Sequence, residues 1–485
     1  MARALAFFLV WLCCLPLPGH TVPKPAGIFG EHMVLQRDKP IPVWGKADPG
    51  EKISVTLGGK KVSGKSRADG KWMLHLPKSK AGGPFLLKVA GQNDTVIYQD
   101  VYVGEVWLAS GQSNMDFRVY WAVNDEYHVQ DGLREVAEAN FPLIRSINVP
   151  YAPADSPTSE LNALWEICSP QTVGNFSAVA YFFGRELYRN LNVPIGLVHA
   201  SAGGSCMQCW MSRPFLTKEF SEGLRNYDSL VSTFDHNPQG SNPHIDPSIA
   251  SSICFNSQIN PLVPYALRGV IWYQGETVGW GSHTYRALQL DLVKEWRKAW
   301  GQGEFPFLIT QLANFGPRIL DPAALTPWAL QREAQMQAVA QGRNMGMAIA
   351  VDLGDSVKIH PRNKQEVGLR LSYAARALAY GQNIPHTGPV YLRKRIESDS
   401  IRLFFKNFGE KLIAKDDPLQ GFSIAGSDGK FFVANAHIGK GNTVVVFSPE
   451  VKSPVHVRYA MADNPVVSLY DMAGLPASPF RTDNF

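Results

Sequence analysis

Val106-Trp107-Leu108-Ala109 runs almost directly into Gly111-Gln112-Ser113-Asn114-Met115, and this junction decides how the chain is read. A short apolar run closed by a glycine-led turn predicts a buried strand. An open α/β sheet does its chemistry beyond the carboxyl ends of its strands, so Ser113 stands where a nucleophile belongs. A serine hydroxyl is weak at neutral pH and needs a base, an orienting acid and an oxyanion hole. The other strand ends have to supply them.

Outward from this junction, apolar runs of strand length recur at 103–109, 194–200, 268–273, 305–311 and 346–353. Helix-length amphipathic patterns separate them at 178–191, 285–300, 328–340 and 362–380. Buried strands alternating with helices predict a parallel sheet covered on both faces, an α/β catalytic domain over 101–384. Residues 22–100 are short alternating runs broken by Asp48-Pro-Gly50, Gly58-Gly59 and Asp69-Gly70, an N-terminal β module. Ile401-Arg-Leu-Phe-Phe405 and Thr443-Val-Val-Val-Phe447 mark a C-terminal β module over 385–485.

Met1-Ala2-Arg3 and the apolar stretch to Leu17 predict a signal peptide over 1–21. About fourteen apolar residues are too few to span a bilayer, so the expected protein is exported (secreted, periplasmic or lysosomal) with no membrane association after cleavage. The chain is 45% hydrophobic and 18% charged, as a globular protein with a large core is. Its formal charge of +5 is scattered among 42 acidic residues, which excludes nucleic acid as a partner. Cys168, Cys206, Cys209 and Cys254 remain after the signal. Cys206-Met-Gln-Cys209 has neither a second pair nor suitably spaced histidines for zinc, so no metal and no cofactor are expected.

Each carboxyl strand end carries a reactive or anion-binding group: Ser113 with Asn114; Ser201-Ala-Gly203-Gly204-Ser205; Gln274-Gly275-Glu276; then Asp352, Asp355 and His360. Singly, these are helix caps, turns and loop residues. Together they supply every part a serine hydrolase needs. Ser113 is the expected nucleophile and His360 the base. Asp355 ranks first as orienting acid because it approaches His360 along the same loop, ahead of Glu276 and Asp352. The backbone of Gly203 and Gly204 and the side chains of Gln274 and Asn114 are expected to bind the oxyanion or substrate.

The joint pattern resembles the SGNH hydrolase superfamily. More narrowly, Met33-Val-Leu-Gln36, Pro42-Val-Trp-Gly45, Gly111-Gln-Ser-Asn-Met115, Trp272-Tyr-Gln-Gly-Glu276 and Ile359-His-Pro361 followed by Lys364-Gln365 resemble the sialate O-acetylesterase family. The resemblance implies a flavodoxin-like three-layer domain and cofactor-free hydrolysis of O-acetyl groups on sugars, 9-O-acetylated sialic acids first and acetylated xylan or other plant glycans as the alternative. The chain departs from the family where Ala202-Gly-Gly-Ser205 and Gln208-Cys209-Trp210 replace the usual Trp-Gly-Gly-Thr and Glu-x-Trp. Val357 stands where many SGNH enzymes place the acid. The rival from another class is a non-catalytic glycan-binding protein with a decayed hydrolase domain, its sugars stacked on Trp107, Trp165, Trp210, Trp272 or Trp280. A sialic acid carboxylate favours a bidentate arginine; Arg118, Arg213, Arg318 and Arg362 lie near the motif loops.

Overall fold

The computed structural model describes residues 22–121, 127–219, 251–277 and 282–483. The expected signal peptide at 1–21 and Trp280 lie outside the described residues. The organising strand is Thr95–Gly111 (β1), seventeen residues long. Its carboxyl half is flanked by the parallel strands Ile195–Ser201 and Gly269–Tyr273. Adding Phe141–Asn148 (β2), Trp165–Cys168 (β3), Ile195–Ser201 (β4), Gly269–Tyr273 (β5), Phe307–Thr310 (β6) and Met345–Ala348 (β7) gives the order β3-β2-β4-β1-β5-β6-β7. All neighbours are parallel except the edge pair β3-β2. Without β2 and β3 the order is that of a flavodoxin-like sheet, whose topological switch point falls at the end of β1.

Period-two alternation sorts the central side chains between two cores. Val106, Leu108, Val270 and Trp272 pack in one, and Trp107, Ala109, Ile271 and Tyr273 in the other. Ala178–Leu191 (α1), Ser282–Trp300 (α2), Pro327–Gln341 (α3) and Lys364–Leu378 (α4) cover the faces. α1 packs on α4 so closely that a Cβ on Gly368 would lie 2.6 Å from that of Phe182. The expected three-layer α/β domain is therefore present.

Two features depart from the expectation. The boundary read at residue 100 falls inside β1, whose first half pairs with Gly82–Ala90 and, in parallel, with Val34–Gln36. The N-terminal module thus shares a strand and a core with the sheet and has no linker to it. β2 was not expected, because Pro142, Arg145 and Ser146 interrupt its apolar run. Arg145 is tolerated in a buried strand because it donates to Asp100 at 2.6 Å and to the Pro142 carbonyl at 2.7 Å.

After α4, antiparallel four-stranded sheets, including Ser400–Lys406, Thr443–Phe447, Phe422–Ala425 and His456–Tyr459, enclose their own core. No helix of the described residues is long and apolar enough to cross a membrane.

Candidate active site

Gly111 ends β1 with φ +140, and a Cβ there would lie 2.0 Å from the Tyr273 carbonyl oxygen, so only glycine fits this approach of β1 to β5. The chain then turns through a single helical turn, Ser113–Asp116. Gln112 pins that turn to the end of β5: its backbone N–H donates to Tyr273 O at 3.0 Å, and its side-chain oxygen accepts from Gly275 N at 3.1 Å. His360 arrives on the loop between β7 and α4. That loop ends where the Asn363 side chain caps α4 by accepting from Glu366 N at 3.1 Å.

The structure brings Ser113 and His360 together across 247 residues, with Oγ and Nε2 2.8 Å apart. Burial, and secondarily the nearby Lys364 cation, hold the imidazole down to about 4, so above that pH it is neutral and able to accept a proton. On the second loop Gly203 is the nearer glycine: a Cβ there would lie 3.8 Å from that of Ser113. Gln274 is 1% exposed. One of its N–H groups is spent on the Ser205 carbonyl at 3.1 Å, and its oxygen accepts from the Tyr285 hydroxyl at 3.0 Å, so its side chain clamps the second loop to the third.

The carboxylates stand differently from expectation. Asp355 is exposed, and Oδ1 accepts from the backbone N–H groups of Val357 at 2.7 Å and Lys358 at 2.9 Å. Those donors hold its carboxyl below the usual range. It caps its own turn, as Asp does two and three residues before a free N–H, and no hydrogen bond joins it to His360. Asp352 forms a bidentate pair with Arg370 at 2.6 and 2.9 Å. Among the described residues no carboxylate hydrogen-bonds His360. Asp355→Asn is accordingly expected to lower kcat less than about tenfold, measured with a small acetate ester, because no imidazole tautomer depends on it.

Asn114 is likewise not a free donor. Its Nδ2 donates to Glu276 Oε1 at 2.5 Å and to the Ile359 carbonyl at 3.1 Å, while its Oδ1 accepts from Lys364 Nζ. Lys364 follows the Ile359-His-Pro361 motif, but nothing in the sequence of a helix-opening lysine signals its full burial.

Of the tryptophans considered as sugar platforms, Trp107, Trp210 and Trp272 are fully buried and Trp165 is 4% exposed, so they are core. The aromatic wall beside His360 comes instead from Tyr127, 5.1 Å away between ring centroids, and Phe117 at 6.4 Å. Trp121, 38% exposed, meets Tyr127 edge-on at 6.3 Å and lies under the Arg118 guanidinium at 5.1 Å. Of the four arginines considered, Arg362 is engaged with His128 and the Val129 carbonyl. Arg118, donating to Asn175 at 3.3 Å, is the one on the aromatic rim. Below it, His199 Nε2 lies 2.7 Å from Ser201 Oγ, which in turn donates to Asp116 at 3.1 Å, holding that half-exposed carboxylate one turn beyond Ser113.

Comparison with known proteins agrees with this geometry. Residues 103–379 match the model of the family described as carbohydrate esterase, sialic acid-specific acetylesterase. The human sialate O-acetylesterase is 31% identical over 404 residues, 75% of this chain and 73% of that protein. The mouse sialate O-acetylesterase is 30% identical over 419 residues, covering 77% and 76%. The crystal structure of a carbohydrate acetylesterase from Xanthomonas citri superposes with a TM-score of 0.84 at 37% identity, over 96% of this chain and 100% of that one.

Proposed function

The chain belongs to the sialic acid-specific acetylesterase family of carbohydrate esterases, and on that premise we propose that it removes O-acetyl groups from sugars, sialic acids first, through an acetyl-enzyme on Ser113. It is a carboxylic ester hydrolase. The observation that carries the mechanism is the 2.8 Å contact between Ser113 Oγ and His360 Nε2. His360 takes the hydroxyl proton as Oγ attacks the acetyl carbonyl, and returns it to the departing sugar oxygen. The backbone N–H groups of Ser113 and Gly203 receive the oxyanion; Gln274 acts by holding the loop that carries Gly203. Water, deprotonated by His360, then releases acetate.

The sugar would lie along the wall of Phe117, Tyr127 and Trp121. There Asp116 can accept hydrogen bonds from its hydroxyls and Arg118 can meet a carboxylate. A neutral acetylated glycan is the second reading, favoured by the 37% identity and near-complete coverage of the Xanthomonas citri carbohydrate acetylesterase. We read residues 1–21 as the signal that exports the chain to a secreted, periplasmic or lysosomal location, and the flanking β modules as supports of the catalytic domain.

Acetate release from 9-O-acetylated sialic acid and from acetylated xylan, measured side by side, tests the substrate. The expected kcat/KM is at least about tenfold higher on the sialic acid, one well-made carboxylate contact being worth roughly 1.5–3 kcal/mol. A preference for xylan would establish the second reading.

A further inference from the structure

We infer that Lys364 is a positioning residue for the reaction: through the side-chain amide of Asn114, Lys364 and Glu276 hold the Ser113 turn against the His360 loop. The inference rests on Ser113 and His360 being the reacting pair.

The amide has no orientational freedom. An ammonium only donates and an ionised carboxylate only accepts, so Lys364 on one side and Glu276 on the other fix which end of the Asn114 amide is oxygen. With Oδ1 taken by Lys364, both Nδ2 hydrogens point away from it, one to Glu276 and one to the Ile359 carbonyl. Asn114 is the covalent neighbour of the nucleophile, and Ile359 that of the histidine. The bridge therefore ties together two loops 245 residues apart, one residue from each reacting atom. Polarisation by the cation strengthens both donated bonds.

A lysine with 0% exposure is costly, and the core does not need one here. Its ammonium sits between ring faces, 4.7 Å from the centroid of Phe117 and 5.5 Å from that of Tyr273. A methionine would fill that volume without desolvating a charge. Expense of this kind beside a reacting pair is characteristic of a site whose electrostatics are set for chemistry.

The same charges bear on His360. Facing it from α4 is Lys364, from the β1 turn the Ser113 hydroxyl, from the rim the Tyr127 phenol, and, through Asn114, Glu276 beyond β5. Asp355 and Lys358 lie on its own loop, Asp355 turned to backbone, and Arg362 is bound to His128. Burial pushes Lys364 down to about 7, with Glu276 pulling it back up. While charged, Lys364 disfavours the imidazolium. Removing it must raise the pH at which His360 protonates.

The test is the pH dependence of Ser113 labelling by a fluorophosphonate and of p-nitrophenyl acetate hydrolysis, in wild type, Lys364→Met, Lys364→Arg and Asn114→Ala. Lys364→Met is expected to shift the acid limb of both profiles upward by roughly one unit and to lower the plateau by about tenfold to a hundredfold from lost alignment. Lys364→Arg should leave the acid limb in place. Asn114→Ala keeps both charges, so it should lower kcat by about tenfold or more with KM little changed. A Lys364→Met enzyme whose limb stays at the wild-type pH, or an Asn114→Ala enzyme with wild-type kcat, overturns the inference. If Lys364→Met fails to fold, Asn114→Ala decides alone. Wild type that labels at Ser113 but releases no acetate refutes the proposed function and leaves this inference standing.

Discussion

Replacing Ser113 with alanine is expected to lower kcat by about five orders of magnitude, as loss of the nucleophile does in other serine hydrolases. Melting and substrate binding should stay near wild type. The change deletes one half-buried oxygen that hydrogen-bonds His360, so it opens no cavity and strands no buried donor. A serine-directed fluorophosphonate should label the wild type and not the variant. Labelling that persists, or activity within about a hundredfold of wild type, would remove Ser113 from the proposed mechanism. The same substitution separates the enzyme from a glycan-binding protein with a decayed hydrolase domain, because only the enzyme has turnover and Ser113 labelling to lose, while sugar binding would be untouched in either.

The sheet was legible because its strands are buried on both faces and so read as unbroken apolar runs. Helix α1, Ala178–Leu191, follows its sequence pattern to the residue: the periodic face begins after Ser177, whose hydroxyl accepts from Ala180 N at 3.3 Å, and ends at Asn192 in the left-handed conformation. β2 was not legible. Its polar residues are satisfied by partners distant in sequence, Asp100 above all, and a one-dimensional pattern does not carry such pairs.

The site divides in the same way. The meeting of Ser113 and His360 was legible because strand ends limit where a nucleophile and its base can stand. Asp355 lies close to His360 along the chain, but that nearness does not bring it to the imidazole. A short loop with two free N–H groups captures its own aspartate more readily than it presents it to a neighbour. Asn114 and Glu276 are legible as members of one site, but their joining through Lys364 is not, because the buried trio comes from three separate segments that only the fold superimposes.

The second large effect concerns stability, at the seam between the catalytic sheet and the C-terminal module. Arg332 on α3 is 0% exposed and donates at 2.8 Å to four backbone carbonyls: Leu312 and Ala313 beyond β6, and Ala462 and Asp463 of the C-terminal module. Its planar fork is what lets one side chain serve two segments at once, which the single point of a lysine ammonium does not. Methionine in its place would fill much of the volume but leave those carbonyls short of a donor. Ala313 and Asp463 keep other donors, the Trp328 indole and Phe315 N–H, whereas Leu312 and Ala462 lose the one the fork gave them. At about 1–3 kcal/mol for each buried carbonyl left unsatisfied, Arg332→Met should cost about 4 kcal/mol. At about 1 °C per kcal/mol in a chain of this size, that corresponds to a fall in Tm of about 4 °C. Arg332→Lys should recover less than half of it. Differential scanning calorimetry would resolve whether the C-terminal module then melts first. Melting within about 2 °C of wild type would show that the seam is held by its apolar packing and by the Arg481–Glu333 and Tyr470–Asp352 contacts across it.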